Sequence, residues 1–404
     1  MYYFLLHQGF ALSQTHDLNY YLGEGTINSP LIKEYSSQLQ RLRIDSLLIL
    51  AGRKIAVTAS GQIMIAPIID GYGYDEAITN QGQYTAIAGI RKPILQKNYY
   101  TAQLNRGRVR NDSLFSRSIL SRREVEKAIT DQYLNTYDTL SQIKFQEQTI
   151  NSLENQLKLL APLVKSGIYL QTDYLTLQLQ IQTEKITDQL LHDGYRSGIY
   201  TLNALCGIPD TTIIEIDKPD LRWKASSSAM NPILYLFSLD SSSIEGSKNL
   251  LHYNYVPRLN LFGDAGYQAI PADASFKKFG FSAGITMDWN IYDGGQRNLK
   301  LQQLTIQQLS ISAYRRYYSL QQSLQFINLD KKFQSINSII IQWQDQLNNM
   351  NQLMAMRRQQ LFSGQLSAID YLAALRDYSG LGQKLNNALM EQQRIISEHN
   401  YLVW

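Results

Sequence analysis

Asp173 and Asp370 each lie six residues beyond a Ser-Gly pair, Ser166-Gly167 and Ser363-Gly364, near the start of a helical stretch. An acid in the first turns of a helix is favoured by the helix dipole alone. The same carboxylate, gathered with symmetry-related copies on an axis, would instead favour cations and could bind metal ions there. A second set of charges, Arg91, Asp264 and Asp288, interrupts segments that otherwise alternate between apolar and small or polar residues. On the polar face of a strand such charges suit a water-filled lumen and are costly in a dry core. Catalytic chemistry has no comparable support. His7, His16, His192, His252 and His399 are scattered, and Gly71-Tyr72-Gly73 is an isolated GxG in a turn. No HExxH, GxSxG or phosphate-loop pattern occurs. The single cysteine, Cys206, excludes a disulfide framework and a cysteine-based metal site. The reading is a protein that is not an enzyme and carries no cofactor or dedicated metal site.

The elements that would position these charges are clearest in Phe279–Gly295. Phe279, Phe281, Ala283, Ile285, Met287, Trp289 and Ile291 fall on one face of an extended chain. Gly280, Ser282, Gly284, Thr286, Asp288 and Asn290 fall on the other. A half-buried strand of a soluble sandwich alternates in the same way. This run, however, exceeds the ~5–6 residues of a typical strand and is long enough to cross a bilayer at a tilt. Aromatic residues sit towards both ends of its apolar face, where interfacial girdles lie. Phe281, Ile285, Met287 and Trp289 are the expected lipid-facing set, with Arg91, Asp264 and Asp288 lining the pore. No window approaches 18 consecutive apolar residues, so a transmembrane helix is excluded.

Only 18% of the 404 residues are charged, while tyrosine alone occurs 27 times. The net charge of +4 is too small to argue for nucleic acid. The opening MYYFLLHQGFALSQ reads either as part of a secretory signal, with Ala11-Leu12-Ser13 as a cleavage site, or as a frayed N-terminus.

Taken in order, residues 1–16 form this extension, and Asp17–Arg53 is expected as one helix closed by Gly52. Strands are expected at 54–72 and 83–95, joined by a Gly- and Asn-bearing turn. A long helix, Asn98–Val164, then breaks at Ser166-Gly167 before another, Gln171–Leu205. Residues 207–228 are an irregular, equatorial connection with two prolines. A short helix at Pro232–Leu251, strands at 255–268 and 279–292, and a helix Arg297–Phe362 follow. A break at Ser363-Gly364 precedes a last helix to Trp404. Pro93 and Gly294-Gly295 are expected to mark the strand-to-helix turns.

The plan is written twice, as 17–206 and 229–404, with breaks near 166–172 and 363–369. An offset of 197 carries Tyr84 to Phe281, Gly167 to Gly364, Asp173 to Asp370 and Leu175 to Leu372. In the second half Phe333, Ile336, Ile340, Trp343, Leu347, Met350, Met354 and Leu361 keep a 3–4 spacing, Arg357 filling one slot. Leu140, Ile143, Ile150, Leu153, Leu157, Leu160 and Val164 form the corresponding first-half seam. That spacing specifies coiled-coil packing. Four strands are too few to close a membrane barrel, and open edges are not tolerated in lipid. Three chains would supply a barrel of about 12 strands, with the helices forming a tube below it.

These features resemble the TolC-type outer-membrane factor family. The resemblance rests on the doubled plan, on Val256-Pro257-Arg258-Leu259 opening a strand, and on Trp289-Asn290-Ile291-Tyr292-Asp293-Gly294-Gly295 closing the next. Residues 166–173 and 363–370 look like that family's helix–turn–helix tips. The resemblance implies an α+β membrane protein, with long α-helical coiled-coil hairpins forming a periplasmic barrel. Four β-strands per chain would contribute to a homotrimeric 12-stranded outer-membrane β-barrel embedded in outer-membrane lipid. It implies an exit duct for efflux or type I secretion, with an inner-membrane pump and a periplasmic adaptor as partners. The adaptor would dock at the tips, Gly167, Ile168 and Leu170 on one and Gly364, Gln365, Leu366 and Ser367 on the other. Asp370, with Asp173, would ring the periplasmic aperture. Two departures bear on gating: Leu366 and Ala373 stand where relatives often carry a basic latch residue and a second aperture acid. The competing expectation is a soluble coiled-coil scaffold with a small β-domain, whose sheet would be polar outside.

Overall fold

A computed structural model describes residues 15–75, 82–225, 231–270 and 276–404. In chain order these form α1 (Leu18–Asn28), α2 (Pro30–Ala51), β1 (Ala56–Ile65), β2 (Gly82–Ile94), α3 (Lys97–Lys165) and α4 (Gln171–Cys206). The second half gives α5 (Pro232–Tyr253), β3 (Arg258–Ala269), β4 (Phe279–Asp288), α6 (Gln296–Phe362) and α7 (Ala368–Leu402). The order of elements is the one expected, and α3 and α6, with 69 and 67 residues, are each about 100 Å long.

Four features differ from expectation. The helix expected over Asp17–Arg53 is two helices, because Ser29 leaves helical geometry (ψ 118°) ahead of Pro30. A residue before proline is disfavoured in the α region, while proline suits the first helical position. β1 stops at Ile65 and β4 at Asp288, so Trp289 lies beyond the ladder. Pro93 is inside β2, opposite Asn260, rather than at the turn. β1 begins at Ala56, opposite Arg91, which leaves Pro93 with a paired strand on one side only, the setting in which proline is tolerated. The turn itself is made by Leu95, at φ +60°. Residues 1–14 of the possible signal, most of the 73–82 turn and the end of the 207–228 connection lie outside the described residues.

The chain divides into two units. One comprises the described parts of Met1–Glu34, Ser118–Pro232 and Tyr317–Trp404. Its helices pack along the expected seams: Leu140, Ile143, Ile150, Leu153 and Leu160 are buried. In α6 every seam residue, Arg357 included, is buried or half-buried, and apart from Asn337 their immediate neighbours are exposed. One core cluster gathers Tyr21, Ile129, Tyr133, Tyr195, Ile199 and Cys206. Burial pushes the Cys206 thiol up to about 12, so it behaves as a small hydrophobe. The other unit comprises the described parts of Tyr35–Arg117 and Ile233–Arg316 and holds an antiparallel sheet of order β1-β2-β3-β4. Among the described residues β1 and β4 each have one unpaired edge.

Candidate functional site

The sheet's registers decide which side chains share a face. Asp264 lies opposite Gly89 on one side and Ser282 on the other, Arg91 opposite Phe262, and Asp288 opposite Arg258. Alternation then places Arg91, Asp264 and Asp288 on one face with Thr58, Asn260, Ser282 and Thr286. The opposite face carries Val57, Ile63, Ile90, Leu261, Phe281, Ile285 and Met287, and Lys92 is its one charge. Phe281 is 90% exposed and Ile63 75%. A contiguous apolar face left open to this degree marks a surface that meets lipid or protein. No described helix is long and apolar enough to cross a membrane.

The two tips share their turn hydrogen bonds, and the first adds one from Tyr169 N to Leu163 O (3.4 Å). At the first, Gly167 N donates to Val164 O (3.1 Å) and Ile168 N to Leu163 O (3.0 Å). At the second, Gly364 N donates to Leu361 O (3.2 Å) and Gln365 N to Gln360 O (2.9 Å). Ser166 Oγ and Ser363 Oγ donate to Leu163 O and Gln360 O. Gly167 and Gly364 take φ of +77° and +72°, the left-handed turn that ends a helix in a Schellman motif. Apart from the Tyr169 N bond, every one of these recurs at the 197-residue offset.

Side chains separate the tips. Tyr169 and Leu366 occupy equivalent positions and are both buried, in a cluster with Leu160, Leu177, Leu361, Tyr371 and Leu375. Tyr169 Oη donates to Leu361 O (2.6 Å) and to Leu366 O (2.7 Å), tying the first tip to the second. Leu366, expected as an exposed docking residue, is therefore a packing residue. Ile168 and Leu170 remain exposed, at 56% and 69%, as do Gln365 and Ser367.

Both acids sit in the first turn of a helix and bond to its N-cap residue. Asp370 N donates to Ser367 Oγ (3.1 Å) and Ser367 Oγ to Asp370 Oδ2 (2.7 Å). Asp173 Oδ2 accepts from Leu170 N (3.2 Å), but leucine has no oxygen to return the bond.

A third constellation sits where β4 enters α6. Asp293 accepts from Tyr255 Oη, from Gly295 N (3.0 Å) and from Arg297 N (2.8 Å). Trp289 Nε1 donates to Tyr255 O (3.1 Å), and Arg297 stands over the Tyr255 ring. The Tyr255 hydroxyl and these backbone donors hold the Asp293 carboxyl below its usual range. This joint was not anticipated, although an aspartate before Gly294-Gly295 and a helix start is an N-terminal capping signal.

A four-stranded sheet with one open apolar face, joined to two helical hairpins that repeat each other, is the protomer fold of bacterial outer-membrane channels of the TolC type. The chain matches the outer-membrane protein VceC of Vibrio cholerae with TM-score 0.76 and 13% identity, over 95% of each chain. It matches the CmeC outer-membrane channel of Campylobacter jejuni with TM-score 0.74 and 11% identity, over 95% of this chain and 85% of that one. The open-state MtrE channel of Neisseria gonorrhoeae matches with TM-score 0.70 and 11% identity, over 96% and 88%. No family model and no curated protein matches the sequence. The likeness is one of fold, and the fold is the one the resemblance implied.

Proposed function

We propose that the chain is one third of an outer-membrane exit duct, with its hairpins in the periplasm and a pump-linked adaptor at their tips. The observation that carries this reading is the sheet. One face is apolar and exposed, the other holds Arg91, Asp264 and Asp288, and among the described residues both edges are unpaired. Three such sheets joined edge to edge satisfy every ladder and give about 12 strands around a polar lumen. A soluble scaffold would leave that apolar face in water, which speaks against it.

At the tips, Ile168 and Leu170 on the first and Ile369 on the second are exposed apolar residues available to an adaptor, with Gln365 and Ser367 in the second loop. Asp370 is the aperture acid. Its capping bonds use one carboxylate oxygen, and three copies on an axis would bind a cation rather than remain ionised side by side. Efflux of small molecules and type I secretion both fit this duct.

Fractionation and detergent extraction test the reading: the protein partitions with outer membranes and runs as a trimer. Ile285→Arg costs about 2–4 kcal/mol per chain near the bilayer midplane. Recovery as a soluble monomer would overturn the duct. For the aperture, Asp370→Asn weakens block by divalent cations in planar-bilayer recordings; unchanged block would leave Asp370 as a cap alone.

A further inference from the structure

The registers put the start of β1, the end of β2, the start of β3 and the end of β4 at one end of the sheet, the end that joins the helices. Residues 49–56, 91–101, 251–259 and 288–302 make up that joint and contain eight lysines and arginines against two aspartates. Neither aspartate is available to neutralise the rest from outside. Asp288 is on the polar face, opposite Arg258, and Asp293 is taken by Tyr255 and two backbone N–H groups. Arg91 and Arg258 share that polar face.

The other six cations, Arg53, Lys54, Lys92, Lys97, Arg297 and Lys300, are all exposed. Among the described residues none of the six forms an ion pair. Arg53 stands over the Tyr100 ring, Arg297 over that of Tyr255, and Lys300 reaches the amide of Gln296. Lys92 is the only charge on the apolar face and lies in its last rows, opposite Leu261. Leu95 and Tyr292, each 85% exposed, and Trp289, 52% exposed, lie at the same level. The connections at the opposite end of the sheet carry the reverse balance, with Asp70, Asp75, Glu76 and Asp273 against Lys277 and Lys278.

Long cationic side chains bury their stems beside apolar surface and keep their heads in the headgroup layer, where tryptophan and tyrosine also settle. Unpaired cations in that layer favour anionic lipid. We propose that this joint is a basic collar that selects anionic phospholipid headgroups in the leaflet on the helix side. The proposal rests on the sheet being the membrane-spanning element, and its test separates the two.

Trp289 is the one tryptophan at the joint, so Trp223→Phe, Trp343→Phe and Trp404→Phe leave it as sole reporter. The trimer is reconstituted in bilayers of phosphatidylcholine containing a few per cent of brominated phosphatidylglycerol or brominated phosphatidylcholine. Trp289 is quenched by both, with a preference of about fivefold or more for phosphatidylglycerol at low salt. The preference falls towards unity in high salt and in the Lys54→Gln, Lys92→Gln, Lys97→Gln, Lys300→Gln variant. Equal quenching by the two lipids at low salt overturns the collar and leaves the membrane reading standing. Quenching by neither overturns the membrane reading as well. Melting of the unmodified trimer in micelles doped with each lipid gives a second readout. Phosphatidylglycerol raises the midpoint more than phosphatidylcholine, and equal midpoints overturn the collar.

Discussion

The first hairpin tip repeats every turn hydrogen bond of the second at its glycine, yet the two show different side chains to water. The first exposes Ile168 and Leu170 and sends Tyr169 inward to bond two carbonyls near and within the second. The second exposes Gln365 and Ser367 and buries Leu366. The repeat therefore preserves a backbone turn while moving its exposed apolar side chains, from Ile168 and Leu170 within the first loop to Ile369, beyond a serine-capped polar loop, on the second. A partner that reads both tips meets two kinds of site from one geometry.

The largest expected effect falls on the tie between the tips. Tyr169→Ala removes a buried ring from the cluster and should cost about 3–5 kcal/mol of local stability. Tyr169→Phe keeps the ring but removes the hydroxyl bond to Leu366 O, while Leu361 O keeps its bond from Gly364 N, at about 1–3 kcal/mol. Hydrogen exchange should show protection lost at both 160–181 and 361–375. Loss confined to the first tip would mean that the two fold independently.

Next comes the pair of glycines. Alanine at either must hold a left-handed turn, at about 1–2 kcal/mol. A Cβ on Gly364 would also lie 3.2 Å from Ile168 Cγ2, whereas one on Gly167 meets nothing within 4 Å. Thermal unfolding should rank Gly364→Ala as the more damaging, and equal midpoints would remove that steric difference between the tips.

Smaller still are the caps. Ser367→Ala should cost about 1 kcal/mol of helix stability, read as faster exchange at Asp370 and its neighbours. Leu170→Ala deletes no side-chain cap and should leave exchange unchanged while weakening adaptor binding. An equal exchange response in both variants would erase the distinction between capped and docking positions.

The smallest effect lies outside the tips, at the strand-to-helix joint, and serves as their control. The Asp293 carboxyl is held below its usual value by Tyr255 and backbone donors, so its ionised form stabilises the folded state. That contribution is full above the unfolded value near pH 4 and disappears as pH falls through the lower folded one. Asp293→Asn should therefore lower the melting midpoint at pH 7 and make little difference at pH 2–3. A gap that persists in acid would assign the loss to packing.

Much of this was legible in the sequence because the signals are long. A seam sustained from Phe333 to Leu361 and an alternation sustained from Phe279 to Met287 leave few alternatives, and the 197-residue offset ties the halves together. The face shared by Arg91, Asp264 and Asp288 was readable for the same reason. Ends were not. Alternation runs on through Trp289 and Ile291 although hydrogen bonding stops at Asp288, since side-chain pattern carries no information about where a ladder loses its partner. Leu366 was misread because its burial depends on Tyr169, 197 residues away in the other hairpin.

The strand order has a consequence for how such a ring can be divided. β1 and β2 come from the first repeat, β3 and β4 from the second, so the β2–β3 ladder inside the chain joins unlike halves. In a closed ring the edge of β4 meets the edge of β1 of the next chain, again joining unlike halves. Half-chains therefore meet through one recurring kind of seam, which is bridged by peptide bonds at residues 207–231 in every second instance and by hydrogen bonds alone in the others. Cutting the chain within that connection would turn three linked pairs into six separate pieces without removing a single ladder from the wall.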